Sequence, residues 1–314
     1  MWHALFFIPI LLAGGDLRTG GTGSAEDVET VIGPDARLLA VQGVATRSDG
    51  MLFVADRLDY RVKKFTPRGE LKGAVGGRGK GPGQFQGPGP LACFGGRIAV
   101  ADFTTGRVQV LNDLFPLSCF EVPGAVSDLC FDGAGNIWII AVTMDRQRGL
   151  FVYGPDGKER KVLALIHGEG DLFFDAGFVA WLGKGTIAVG YYLRNRVELW
   201  DTSGRLIREF AVGGFPERAP TRHTAQGSGV ISLPLGNVFR SMASDGKGKL
   251  YLLGGDYSSK PCQEVLEIDR NGNLLRRIQL KEKSVLIHAD RNGWLYAVSG
   301  DRRSIVRYRL KGRG

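Results

Sequence analysis

The feature that most restricts this chain is self-similarity: one pattern of turns and apolar runs returns every roughly 40 to 50 residues, the period of propeller blades rather than of helical solenoids. Six copies align. The first, residues 43–76, reads GVATRSDGMLFVADRLDYRVKKFTPRGELKGAVG, and the second, residues 90–122, repeats its Val-Ala-Asp turn at Val100-Ala101-Asp102. The third runs from Val126 and carries DGAGNIWIIAV; the fourth, with GTIAVGYYLRNRVELWDTSGRLIREFAVG, ends at Gly213. The fifth carries DGKGKLYLLGGD, and the sixth, HADRNGWLYAVSGDRRSIVRYRL, ends near Leu310.

Each copy holds four strand-sized segments. Runs such as Met51-Leu52-Phe53-Val54-Ala55 are rich in β-branched and aromatic residues, and are too short and glycine-bounded for helices. Pairs such as Asp49-Gly50, Asn271-Gly272 and Asn292-Gly293 supply the positive φ of tight hairpins. The 47 glycines, about twice the usual share, fit a chain of many turns. A four-stranded meander that is apolar on both faces must pack against copies of itself until a ring closes. The sixth copy stops after its third strand, and residues 28–33 resemble the outer strand of the other copies. The expectation is an all-β, six-bladed β-propeller whose N-terminal strand closes the last blade, as a single domain over residues 26–314.

Residues 42–85 carry the most specific motif: Gly43-Val44-Ala45, the Asp49-Gly50 turn, Val54-Ala55-Asp56, Tyr60-Arg61-Val62, then GGRGKGPGQF. This stretch resembles an NHL repeat. The second copy keeps Val100-Ala101-Asp102 and Gly106-Arg107-Val108; the fourth keeps Asn195-Arg196-Val197 but has Gly190 and Tyr191 in place of Ala and Asp. The resemblance implies blade-stabilising ion pairs between Asp56 and Arg61 and between Asp102 and Arg107. It also implies a non-enzymatic scaffold that binds protein, or a polyanion, through one loop face.

That face is basic. The net charge is +9, a positive field that favours acidic proteins or anionic polymers. The candidate ligand-binding residues are Arg57, Arg146, Arg148, Arg194, Arg218, Arg222, Arg302 and Arg303, since guanidinium recognises carboxylate or phosphate with a bidentate fork. Arg61, Arg78, Lys80, Arg107, Arg196 and Lys260 fall in the same loops, with Tyr60, Phe103, Tyr191, Tyr192 and Tyr257 as exposed aromatics. Residues 214–237 are the longest departure from the period, either a functional loop or a disordered insertion.

The alternative reading is a zinc- or calcium-dependent propeller lyase or lactonase-type hydrolase with a site in the central channel. His167, His223 and His288, the histidines beyond the first residues, are its candidate metal ligands, three being the minimum for zinc. No linear calcium-loop spacing and no Gly-Xaa-Ser-Xaa-Gly elbow occurs. In GGRGKGPGQF, Lys80 is followed by Gly81 rather than Ser or Thr, so no nucleotide site is expected. No cofactor is expected either. The apolar run at residues 4–13, with small and polar residues following to Ala25, reads as a secretory leader over residues 1–25, too short for a comfortable membrane span. A secreted or periplasmic location follows, in which nucleic acid is not an expected partner. Cys119 and Cys130 could then form a cross-strand bridge, or Cys93, Cys130 and Cys262 could be small buried apolar residues.

Overall fold

The computed structural model describes residues 22–24, 27–33, 37–143, 148–164, 176–217, 219, 221–226, 229–255 and 263–310. All regular elements among them are strands. Blade one is a meander of Val41–Thr46, Leu52–Asp56, Arg61–Phe65 and Leu71–Gly76. Blade two comprises Pro88–Phe94, Arg97–Asp102, Arg107–Asn112 and Phe115–Glu121. Blade three comprises Ala125–Phe131, Ile137–Val142, Arg148–Tyr153 and Glu159–Ala164. Blade four comprises Gly177–Gly183, Thr186–Tyr191, Val197–Asp201 and Leu206–Phe210. In blade five, Phe239–Ser244, Leu250–Gly254, Glu264–Ile268 and Leu274–Gln279 form the meander. Ser284–Ala289, Trp294–Ser299 and Ile305–Arg309 make three strands of blade six.

The fourth strand of blade six is Val28–Ile32, antiparallel to Ile305–Arg309. An early and a late segment of the chain therefore share one sheet, as the unfinished sixth repeat requires. Ile32 is fully buried and Val31 nearly so, each contributing about 1.5–3 kcal/mol of apolar burial to the closure. Two elements were not foreseen. Thr22–Ser24 adds a fifth strand, parallel to Leu274–Gln279 of blade five. Within the 214–237 segment, Thr221–Gln226 pairs with Gly229–Pro234 as a separate hairpin between blades four and five.

Six apolar clusters hold the ring, one at each interface between neighbouring blades, the sixth-to-first included. The period-2 pattern of a strand explains this, because alternate residues face opposite neighbours. In Leu52–Asp56, Leu52 and Val54 pack toward blade six while Phe53 and Ala55 pack toward blade two. In Ile137–Val142, Ile137, Ile139 and Ala141 face blade two while Trp138 and Ile140 face blade four. The outer strands Leu71–Gly76 and Leu206–Phe210 have no such double cover and are mostly exposed.

The hairpin turns follow one recipe. Gly50, Gly272 and Gly293 have φ near +85°, which only glycine adopts without strain. An aspartate three residues earlier caps two of these turns: Asp269 accepts the N–H groups of Asn271 and Asn273, and Asp290 those of Asn292 and Trp294.

The two implied ion pairs are not made. Asp56 and Arg61 are register partners, but Lys63, on the same face, reaches the buried Asp56 carboxylate at 2.8 Å. Asp56 also accepts the N–H groups of Leu39 and Ala40, at 3.0 and 2.8 Å. Arg61, at the exposed strand end, pairs with Asp59 instead. Asp102 receives the N–H groups of Gln86 and Thr104, and Arg107 lies against Cys119 Sγ. The aspartate of the repeat is thus a backbone cap buried under the loop face. Cys119 is exposed on the outer strand of blade two and Cys130 is buried on the inner strand of blade three, both free thiols, so the bridge between them does not form.

Candidate functional site

The inner strands of all six blades enclose a central cavity of about 660 Å³. Its wall is mixed because the inner strands place polar side chains, including Thr46, Asp128, Arg240 and His288, among apolar ones such as Val44, Ala92 and Leu286. Each inner strand begins at the face carrying the loops between second and third strands and runs to the hairpin-turn face, so the channel has two chemically different mouths.

At the loop-face mouth Arg302 ties blade six to blade one. Its φ of +63° is uncommon for a residue with a side chain. The conformation is held on both sides: Arg302 N–H donates to Ser299 O, and Arg302 O accepts the N–H of Val41 at 3.0 Å. The guanidinium then donates to Val41 O and Gln42 Oε1, at 2.9 and 2.8 Å. These are neutral acceptors, and among the described residues no carboxylate lies within ion-pair distance of Arg302. Burial lowers its pKa, and the like charges of Arg240 and Arg57 act in the same direction. The group nevertheless stays charged, as guanidinium does in proteins.

Tyr192, just past the second strand of blade four, reaches the same mouth. Its ring stacks at a tilt on Phe178, 4.2 Å between centroids, and its carbonyl accepts the N–H groups of Val238 and Phe239. Burial and the nearby Asp128 raise the phenol pKa, while Arg240 and Arg302 pull it down. Asp128 sits at a bulge in the inner strand of blade three. Burial pushes its carboxyl up to about 7, although the N–H groups of Val179 and Leu129 both donate to it and oppose the shift. Asp128, Tyr192, Arg240 and Arg302, from four consecutive blades, thus line one mouth. Beside them Arg57 lies over the Phe103 ring, 4.6 Å from its centroid.

Deeper in the channel, Thr46 N–H donates to His288 Nε2 at 3.2 Å, with the Thr46 hydroxyl at 2.8 Å. An Nε2 that accepts leaves the ring proton on Nδ1. Burial lowers the His288 pKa to about 4, so the ring is neutral at physiological pH. Cys93 also lines the cavity, its thiol pKa pushed well up by burial. At the opposite mouth Arg47 is neutralised: its guanidinium holds Asp49 at 2.5 Å and Asp113 at 3.3 Å, and Lys64 holds the other Asp113 oxygen.

Of the arginines chosen from sequence, the structure brings Arg57 and Arg302 to the loop-face mouth. Arg303 is beside them in sequence but exposed, and Arg194 is half-buried next to Asn195, whose amide donates to Val212 O and Phe215 O. Arg148 begins a strand of blade three and Arg222 lies in the hairpin, with side chains outside the described set; Arg146 and Arg218 lie outside the described residues, as do Lys260 and Tyr257. Arg196 is committed to Glu198 and Glu209. Arg78 and Lys80 are exposed, Arg78 over the Tyr60 ring. Tyr191 is not an exposed loop aromatic: it is buried between blades three and four, hydrogen-bonded to Glu198. His288 lies on the inner strand of blade six and His223 on the hairpin, while His167 falls outside the described residues. Among the described residues no three His, Cys, Asp or Glu side chains cluster so as to hold a metal.

Sequence reasoning missed Arg240 and Asp128, and it read Tyr192 as a surface aromatic. A signal was present. Arg240 is the second residue of its inner strand, where blade one has Gln42, so the aligned repeat places a charge toward the axis. Asp128 was passed over, although the bulge it follows recurs in the inner strands of blades one, two, five and six.

No protein-family model matches the chain, and no curated protein matches it. Solved structures do. Virginiamycin B lyase from Staphylococcus aureus superimposes with a TM-score of 0.59 at 11% identity, over 91% of this chain and 99% of the other. A luciferin-regenerating enzyme gives 0.59 at 14% identity, over 92% and 97%, and U3-55K gives 0.58 at 16%, over 91% and 99%. At these identities the likeness is one of fold. Two of the three bear enzyme names, so the shared architecture does not choose between binding and catalysis.

Proposed function

We propose that this protein is an exported, non-enzymatic, NHL-like propeller that binds a protein or an anionic polymer on its loop face. The observation that carries the reading is the gathering of Arg57, Arg240 and Arg302 around one mouth, with Arg57 and Arg302 lacking any ion-paired carboxylate among the described residues. Exposed Arg78, Lys80 and Arg303 extend the positive surface outward. Export rests on the apolar N-terminal run alone. Titration with heparin at several salt concentrations tests the face. Replacing Arg57, Arg78, Lys80 and Arg303 with Ser should weaken binding and flatten its salt dependence, since a face that neutralises fewer sulfates releases fewer counterions. An unchanged titration would reduce these residues to solvated charges.

A metal-dependent channel lyase or hydrolase is the second reading, favoured by the presence of Asp128 and His288 among the titratable side chains of the channel wall. Elemental analysis of the purified, tag-free protein separates the two. About one zinc or calcium per chain would support the channel enzyme, for which a metal would supply a polarised water or carbonyl.

A further inference from the structure

We infer that the loop-face mouth and the channel beneath it form a binding site for one small organic carboxylate with an apolar body, its headgroup held by Arg302, Arg240 and the Tyr192 hydroxyl. This goes beyond the loop-face reading, which concerns macromolecules on the outer surface.

The volume is the first support. About 660 Å³ falls within the range of small-molecule sites and suits a ligand that threads into a channel rather than lying across it. The second is charge placement. Arg302 is half-buried with only neutral acceptors, so a guanidinium has left bulk water without a counter-charge among the described residues. Burying a charge is costly until it is paired, and a ligand carboxylate supplies the pair by a charge-assisted fork. Arg240 and the phenol of Tyr192 lie in the same electrostatic neighbourhood.

Third, the mouth favours one negative charge over two. Asp128 shares it, and a doubly charged phosphate would face that carboxyl as it ionises, whereas a monoanion leaves Asp128 able to keep its proton and donate it. The groups around Asp128 are Tyr192 from blade four, the N–H groups of Val179 and Leu129, and Cys130 on its own strand, with Arg240 and Arg302 beyond Tyr192. Below the headgroup, Val44, Ala92 and Leu286 offer apolar wall for the body. His288 stands beside Thr46, five residues down the strand from Val41, roughly 17 Å at the usual rise. Its Nδ1–H, which donates to no protein acceptor among the described residues, is available to a polar group far along the ligand.

The test uses the full chain and 11-(dansylamino)undecanoic acid, followed by dansyl fluorescence, with its methyl ester as the uncharged control. Saturable binding near one per chain is expected, with the ester at least about tenfold weaker. Arg302→Gln should weaken the acid about tenfold but not the ester. Because Arg302 also ties blade six to blade one, Arg240→Gln serves as the variant that keeps that seam, with the same expected loss. Ser127→Trp, which fills the channel from the inner strand of blade three, should abolish binding of both probes while heparin binding persists. Equal affinity for acid and ester would overturn the inference, as would acid binding unaltered by both Arg240→Gln and Ser127→Trp. Heparin binding that ignores the exposed arginines would fail the loop-face reading alone.

Discussion

The two mouths of the channel begin from the same residue type and end differently. Arg47 at the turn-face mouth and Arg302 at the loop-face mouth are both half-buried arginines beside blade one, separated by the length of one inner strand, roughly 20 Å. Arg47 has two aspartates and its pKa is raised by them, the Asp49 hydrogen bond first. Arg302 has a carbonyl and an amide, and its pKa is lowered by burial. A count of basic residues therefore does not locate an anion site; what locates it is which of them lack an acidic partner once the chain is folded.

The largest effect should come from destroying both mouths together. Deleting residues 28–32 removes the outer strand of blade six and the burial of Val31 and Ile32, and should abolish the cooperative unfolding transition seen by circular dichroism rather than merely shift it. Asp56→Ala comes next. It removes one of the two aspartates on Lys63, whose amine keeps Asp59 at 2.8 Å, and frees the N–H groups of Leu39 and Ala40 beneath the loop-face mouth, so denaturant unfolding should report a loss of about 1–3 kcal/mol. A loss below about 1 kcal/mol would show that the aspartate of the repeat is not a structural cap.

Proton linkage should separate the channel groups without any ligand. The Asp128 carboxyl is near 7 in the folded protein against an ordinary 3.8, so between these values the folded state keeps a proton that the unfolded chain has released. Its contribution to stability falls as pH rises through that window. His288 runs the other way: lowered from 6.5 to about 4, it contributes stability that is present above 6.5 and is lost as pH falls toward 4. Thermal unfolding across pH should therefore show Asp128→Asn gaining on the parent most at pH 8, and His288→Gln gaining most near pH 4. Parallel curves would mean that both side chains are hydrated in the channel. The smallest effect belongs to Arg47→Ala, whose partners are the exposed Asp49 and the half-buried Asp113, the latter still held by Lys64; a change of about 1 kcal/mol or less is expected, with probe binding at the opposite mouth untouched.

The architecture was legible because it is repeated. Turn glycines at 50, 272 and 293, the double-sided apolar second strands and the missing fourth strand of the last copy each recur or fail to recur at a readable spacing. The hairpin at 221–234 was seen only as a departure from that spacing, since nothing recurs within it. The pairing of Thr22–Ser24 with blade five had no repeat to betray it. The site was legible in part. Arg57 and Arg302 follow from loop position, but Arg303 looks identical in the sequence and faces solvent, and the repeat arginines Arg61 and Arg196 proved to be engaged by Asp59 and by two glutamates.

Local patterning and period, then, determine the number of blades, their strand order and the closure of the last blade by an early strand, because strand alternation and turn chemistry act over a few residues. Which polar groups gather at one mouth was decided only when six inner strands met around an axis. Residues 57, 128, 192, 240 and 302 come from five different blades and share no sequence neighbourhood. The seam that fixes Arg302, and the N–H of Val179 that blade four donates to Asp128, exist only once the blades have met.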